Sequence, residues 1–95
     1  MFIINITYTT ELENVDPFLE EHIEFLNEQY ELGHFLASGR KVPRTGGIIL
    51  SKVASRVELE KIIEKDPFKK NDLADYELTE FIPSKTSDEL KFLIP

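Results

Sequence analysis

The sequence predicts a single α+β domain with the element order β-α-β-β-α-β. Residues 2–9 alternate apolar and mixed side chains with the period of a strand. Two later segments repeat apolar residues at helical spacing, and three further short segments have the composition of strands. Two β-α-β halves of this kind fold as an antiparallel sheet with both helices on one face, which is the ferredoxin-like arrangement.

The first half of the chain supplies a strand, a helix and a second strand. The helix is predicted to begin with Asp16 as its N-cap and Pro17 as its first residue, and to end at Gly33. Residues 34–38 then read as the second strand. The apolar positions of the helix recur every three or four residues and are predicted to form its core stripe: Leu19, Ile23, Leu26 and Tyr30.

The second half begins with a fully apolar strand at residues 48–50, which is typical of a central position in the sheet. Ser55 and Glu58 form a capping box for a second helix that ends at Lys65. The last strand is predicted over residues 74–82. A capping pattern at residues 86–89 predicts a short terminal helix.

The chain of 95 residues is long enough for one domain, residues 1–95, with a thin core. Residues 84–95 form an extension whose apolar tail is expected to pack on the domain or on a partner. The helices cover one face of the predicted sheet, and the other face is too weakly charged to meet water. Pairing two sheets face to face, as a homodimer, would cover it.

Composition excludes several classes of function. The chain has no cysteine and two histidines without metal-ligand spacing, so neither a disulfide nor a metal site is expected. A net charge of −7 disfavours nucleic acid as a partner. No apolar run approaches the roughly 18 residues of a membrane span, and no basic segment precedes an apolar one, so cytoplasmic residence is expected.

Two titratable residues are the candidate catalytic pair. Asp66 precedes Pro67, which forces a break after the second helix and leaves the carboxylate free to accept hydrogen bonds. His22 lies roughly 70° from the centre of the apolar stripe, at the margin of the buried face. Each residue also has a structural interpretation, because Asp before Pro is a good N-cap and a marginal histidine often binds a backbone carbonyl.

A basic, glycine-bearing loop at residues 40–47 reverses the sign of charge locally in an acidic chain. It indicates either a site for an anionic or enolate-like ligand or a solvated hairpin loop. The candidate substrate-binding residues in and beside it are Ser38, Gly39, Arg40, Arg44, Gly46 and Gly47.

The combination of the aliphatic first strand, His22, Gly39, the segment 46–49 and the segment 66–68 resembles the YciI-like, or YCII-related, family. The resemblance covers residues 1–83, and the His22 and Asp66-Pro67 pair is its most specific part. It implies a dimeric α+β barrel that uses a His–Asp pair for acid–base chemistry on small, often hydroxylated or aromatic substrates. Many relatives have Gly-Pro after the second strand, where this chain has Gly39-Arg40.

Two functions follow from this resemblance and remain open. In the first, the protein is a homodimeric, cofactor-independent enzyme of lyase or isomerase type, with His22 as general acid/base and Asp66 as its orienting partner. Ser38 would then hydrogen-bond substrate oxygen, and Arg40 or Arg44 would stabilise developing negative charge. In the second, the domain binds a small ligand or serves as an accessory module without turnover, and Asp66 is only a cap.

Overall fold

The computed structural model describes all 95 residues and shows one four-stranded antiparallel sheet. Its strands are β1 (Phe2–Tyr8), β2 (Phe35–Arg40), β3 (Gly46–Ser51) and β4 (Ala74–Glu80), arranged in the order β2-β3-β1-β4. This order confirms the predicted ferredoxin-like fold. The central strands β1 and β3 are the most apolar, since they have neighbours on both sides and water at neither edge.

The connections between the strands are helical except at the β2–β3 turn. A short helix α1 and a 3₁₀ turn lead into α2, which connects β1 to β2, and α3 and α4 together connect β3 to β4. The bounds are α1 (Leu12–Val15), the 3₁₀ turn Asp16–Phe18, α2 (Leu19–Glu31), α3 (Arg56–Ile63), α4 (Pro67–Lys70) and a terminal 3₁₀ helix, Asp88–Leu93. None of these helices is long and apolar enough to cross a membrane.

The core lies between one face of the sheet and the two longer helices. The alternation of β1 turns Phe2, Ile4 and Ile6 towards the helices, where all three side chains are buried. The helical contribution to the same cluster comes from Phe25 of α2 and from three residues of α3, namely Leu59, Ile62 and Ile63. The alternation predicted for residues 2–9 therefore corresponds to the buried face of β1.

Two of the helix ends that the sequence predicted from capping residues are observed, and a third has no side-chain cap. Ser55 caps α3, because its side chain accepts a hydrogen bond from the Glu58 backbone N–H at 3.2 Å. Gly33 ends α2 with a φ of 77°, which glycine adopts without steric cost. The terminal 3₁₀ helix, in contrast, has no side-chain cap at Ser87.

The prediction that Asp16 caps the first long helix is wrong. Asp16 has helical backbone angles within a 3₁₀ turn, and its side chain makes no capping hydrogen bond. The carboxylate instead accepts a hydrogen bond from Arg44 at 2.6 Å. A charged partner at that distance satisfies the carboxylate better than a backbone N–H would, and helical structure begins earlier, at Leu12.

The predicted core stripe of the first helix is also wrong in part. The buried residues of α2 are Phe25 and Gln29, with His22 close to buried beside them. Ile23 and Tyr30, by contrast, are 46% and 37% exposed. The buried face is therefore rotated by about 100°, or one residue step, from the predicted stripe. The apolar residues on the displaced side instead line an open cleft.

Several boundaries differ from the sequence prediction by one or two residues. β2 begins at Phe35 and continues through Arg40, with a bulge at Leu36 that shifts its register against β3. β1 and β4 are each shorter than predicted, and α3 ends at Ile63 rather than at Lys65. The predicted basic loop is thereby reduced to residues 41–45, because its two ends are strand.

The second face of the sheet carries no helix. Register places Ile3 opposite Leu50 and Asn5 opposite Ile48 on this face, and all four residues are only half-buried. The C-terminal residues Leu90, Phe92 and Ile94 are 45%, 64% and 42% exposed. This apolar surface comprises the sheet face for which the sequence predicted a partner and the tail that was expected to pack on the domain or on a partner.

Candidate active site

Asp66 lies at the break between α3 and α4 and is completely buried. Its extended backbone and the fixed φ of Pro67 start a new helical turn at this point. The carboxylate Oδ1 accepts a hydrogen bond from the Phe68 backbone N–H at 3.0 Å. Asp66 is therefore an N-cap, as one of the two sequence interpretations required.

The same carboxylate also meets His22 from α2. The His22 Nδ1 lies 2.8 Å from Asp66 Oδ1, and the two residues are 44 positions apart in the chain. The imidazole stacks on the Phe68 ring with centroids 4.0 Å apart and an interplanar angle of 8°. Helix capping and pairing with His22 are thus not alternatives, because Asp66 Oδ1 does both. Phe68, whose N–H is capped, also supplies the ring on which His22 stacks.

Tyr76 of β4 completes the surroundings of the carboxylate. Its hydroxyl donates a hydrogen bond to Asp66 Oδ2 at 2.5 Å. Burial, first of all, and then the negative charge of Asp66 raise the pKa of Tyr76 far above its usual range, so the phenol keeps its proton. The phenol is a contact that the sequence analysis missed; the alternation of β4 puts Tyr76 on the same face of the strand as Leu78.

These contacts determine which nitrogen of His22 is available. An ionised carboxylate only accepts hydrogen bonds, so Asp66 requires donors from Phe68, Tyr76 and the His22 ring. In neutral His22 the proton then lies on Nδ1, and Nε2 carries the free lone pair. Because the His22 ring also lines a cleft, Nε2 is the nitrogen that a ligand can reach.

The cleft has a volume of about 420 Å³ and lies between α2 and the sheet. Its apolar walls come from β1, α2 and β3, and its polar groups come from α2, β2 and the β2–β3 turn. The lining residues are Ile6, Tyr8, Leu19, His22, Ile23, Leu26, Ser38, Gly39, Arg40, Arg44, Gly46, Gly47, Ile48 and Ile49.

All six predicted substrate-binding residues line this cleft together with His22. Asp66 does not line it and lies behind the imidazole. The Ser38 hydroxyl is 2.7 Å from the Tyr30 hydroxyl, which ties β2 to α2. Arg44 is held by Asp16, and this hydrogen bond raises the pKa of the Arg44 guanidinium. The roles of the six residues in ligand binding stay predictions.

Gly46 and Gly47 lie in β3 and not in a loop, where they allow close approach of the backbone. A Cβ atom on Gly46 would stand 1.8 Å from the Ile6 carbonyl oxygen, and one on Gly47 would stand 3.0 Å from the Gly39 carbonyl oxygen. The glycines therefore allow the backbone of β3 to lie close to the backbones of β1 and β2. No group of three or more His, Asp or Glu side chains is arranged to hold a metal ion.

The apolar lining of the cleft was not recognised from sequence as part of a site. Leu19, Ile23 and Leu26 were predicted as core, because spacing shows that residues share a face but not what that face meets. Phe68 was noted only as part of the Asp-Pro-Phe segment, and its stacking on His22 depends on the packing of α4 against α2.

Known proteins resemble the chain in fold and family. No curated protein matches it in sequence. Among solved structures, 5-chloro-2-hydroxyhydroquinone dehydrochlorinase (TftG) from Burkholderia phenoliruptrix AC1100, in complex with 2,5-dihydroxybenzoquinone, matches with a TM-score of 0.70 and 17% sequence identity. The match covers 85% of this chain and 93% of that chain. A family model for the YCII-related domain matches residues 1–82. The chain therefore belongs to the YCII-related domain family.

Proposed function

We propose that the protein is a cofactor-independent enzyme that uses His22 as general acid/base and Asp66 as its orienting partner. The reaction is an elimination, an isomerisation or another lyase-type step on a small polar or hydroxylated substrate. The single observation that supports this most is the 2.8 Å contact between His22 Nδ1 and Asp66 Oδ1, with the imidazole at the wall of a cleft.

The proposed mechanism follows from the hydrogen bonds of the pair. Nε2 of His22 takes a proton from a C–H or O–H group of the substrate, and the resulting imidazolium is stabilised by the buried Asp66 charge. The proton then returns to another atom of the substrate or to a leaving group. Ser38 is suited to hydrogen-bond substrate oxygen, and an arginine of the cleft to stabilise the negative charge that develops.

The ligand of the structural relative supports the substrate class. That relative was solved with 2,5-dihydroxybenzoquinone, a small hydroxylated ring. A ring of this size fits a cleft of about 420 Å³ whose walls are largely apolar. Titration of the protein with 2,5-dihydroxybenzoquinone, followed by two-dimensional NMR, should shift the resonances of His22 and of the residues that line the cleft.

Solvent-deuterium exchange tests the chemistry without knowledge of the physiological substrate. A panel of small hydroxylated and carbonyl compounds in D₂O should show protein-dependent exchange of an acidic C–H, measured by proton NMR. His22→Gln should slow this exchange by about 10²- to 10⁴-fold, the usual contribution of a positioned acid or base. Asp66→Asn should also slow it, because the amide carries no charge to stabilise the imidazolium.

His34→Gln is the matched control, because it removes the other histidine. His34 Nδ1 is hydrogen-bonded to Gln29 at 2.7 Å and lies outside the cleft. Exchange should therefore continue in this variant. Equal rates in wild type and His22→Gln, or loss of exchange in His34→Gln alone, would contradict the assignment of His22 as the base.

A non-catalytic ligand-binding domain is the second candidate. The observation that favours it is the 3.0 Å capping bond from the Phe68 N–H to Asp66, which would keep an aspartate here without any chemistry. This candidate predicts that 2,5-dihydroxybenzoquinone binds in the cleft while no compound of the panel exchanges its protons. The two measurements together therefore separate an enzyme from a binding module.

Self-association is part of the same proposal. The uncovered sheet face carries Ile3, Ile48 and Leu50, and its apolar area suits pairing with the same face of a second copy. The exposed tail at residues 90–94 supplies further apolar surface beside the domain. Cytoplasmic residence, which was expected from the sequence, stays a prediction.

A further inference from the structure

The charges of the cleft differ from those of the rest of the protein. The chain carries 18 acidic residues and a net charge of −7, yet none of the 14 residues that line the cleft is acidic. The charged side chains of the lining are Arg40 and Arg44. A concave site with only positive charge attracts anions even in an acidic protein, because the local groups dominate at short range.

The two arginines are not equivalent. Arg44 donates from its Nη2 to Asp16 Oδ1 at 2.6 Å, so its charge is already matched by a carboxylate. Arg40 forms no ion pair and no side-chain hydrogen bond within the chain. Its exposed guanidinium is therefore free to meet a ligand with its full charge, whereas the charge of Arg44 is shared with Asp16.

The position of Arg40 on β2 directs it to the helix side of the sheet. Arg40 pairs with Gly47, and Ser38 pairs with Ile49, which is buried on that side. Gly47 has no side chain to compete with Arg40 for space. Two residues on the same face of a strand are about 7 Å apart, which is the scale of a six-membered ring with a substituent at each end.

We propose that Arg40 is the anion-binding residue of the cleft and that the substrate is a small ring or ring-sized molecule carrying a negatively charged oxygen substituent. The charged oxygen binds Arg40, a second oxygen lies near Ser38, and the apolar body packs on Ile23 and Leu26. The inference rests on the proposed function, since it names the substrate class of the same site. Arg44 has a structural role as the partner of Asp16.

The test compares 4-hydroxybenzoate with its neutral counterpart 4-hydroxybenzamide, titrated into the protein and followed by two-dimensional NMR. Wild type should bind the carboxylate about tenfold more tightly than the amide, because charge-assisted hydrogen bonds to arginine are stronger than neutral ones. Arg40→Gln should bind the two compounds about equally. Arg40→Lys, which keeps the charge but loses the planar fork, should retain part of the preference.

Two controls assign the effect to Arg40. The double variant Asp16→Asn/Arg44→Gln removes both charges of the neighbouring pair, leaves the net charge unchanged and should keep the preference. Lys61→Gln removes one positive charge on α3, away from the cleft, and should also keep it. Far-UV circular dichroism should be the same for all variants, since Asp16, Arg40 and Lys61 are exposed and Arg44 is half-buried.

Three results would overturn the inference. These are equal binding of the two compounds by wild type, a preference that survives in Arg40→Gln, and a preference lost in the Asp16→Asn/Arg44→Gln variant. None of these measurements requires turnover. A protein without proton exchange can still show the Arg40-dependent preference, and an active enzyme can lack it, so failure of this inference is distinct from failure of the proposed chemistry.

Discussion

Asp66→Ala should destabilise the protein by more than the loss of a helix cap. The cap itself contributes about 1 kcal/mol. The substitution also removes the acceptor for the Tyr76 hydroxyl and the His22 Nδ1–H, and each donor left unpaired in a buried setting costs about 1 to 2 kcal/mol. The expected decrease in the free energy of unfolding is therefore about 3 to 5 kcal/mol.

Urea denaturation followed by far-UV circular dichroism measures this decrease. Ser55→Ala is the matched control, because Ser55 caps α3 through one backbone N–H and has no further partner; its loss should cost about 1 kcal/mol. Asp66→Asn should cost about 1 to 2 kcal/mol, since the amide oxygen keeps the cap but the amide nitrogen cannot accept from Tyr76. If Asp66→Ala costs no more than Ser55→Ala, the three-donor description of Asp66 is wrong.

Three further predictions address pH, packing and assembly. Burial and then the Asp66 charge raise the pKa of Tyr76. The protonated Tyr76 phenol therefore contributes fully to the free energy of unfolding below about pH 10, and this contribution decreases above that pH by up to about 1.4 kcal/mol per pH unit. Urea midpoints between about pH 9 and pH 11 should therefore fall less steeply in Tyr76→Phe than in wild type; equal slopes would contradict this. Gly46→Ala should cost about 3 kcal/mol or more, since its Cβ would clash with the Ile6 backbone, whereas Gly39→Ala meets open space and should be tolerated. Thermal denaturation compares the two, and similar melting temperatures would contradict the close approach at Gly46. Leu50→Lys, which changes the uncovered sheet face at a residue outside the cleft, should convert a dimer to a monomer in analytical ultracentrifugation, and wild type that is already monomeric would refute pairing through this face.

Local signals in the sequence predicted the structure correctly where residues close in the chain satisfy one another's backbone hydrogen bonds or backbone conformation. The Ser55 cap, the Gly33 end of α2 and the helix start at Pro67 each depend on contacts within a few positions. The alternation of β1 likewise predicted its buried face, because a strand has only two faces and one of them is clearly more apolar. These features, together with the order of elements, were sufficient to predict the fold.

The orientation of α2 could not be predicted in the same way. Its apolar side chains extend over a wide arc, so hydrophobicity alone does not distinguish the side that meets the core from the side that lines the cleft. Packing decided between them, since Phe25 contacts Phe35 and His22 stacks on Phe68. The cleft is a consequence of this rotation, which leaves Ile23 partly exposed above the sheet.

The sequence by itself determined the fold, the break at Asp66 and the identity of the two candidate catalytic residues. Only the tertiary structure decided that Asp66 binds His22, Phe68 and Tyr76 at once, and that Asp16 pairs with Arg44 and not with a helix end. The physical reason is the separation along the chain over which each kind of interaction acts. Caps and periodic patterns are satisfied within one element, whereas a buried carboxylate selects its donors from whatever side chains the packed elements bring within hydrogen-bond distance.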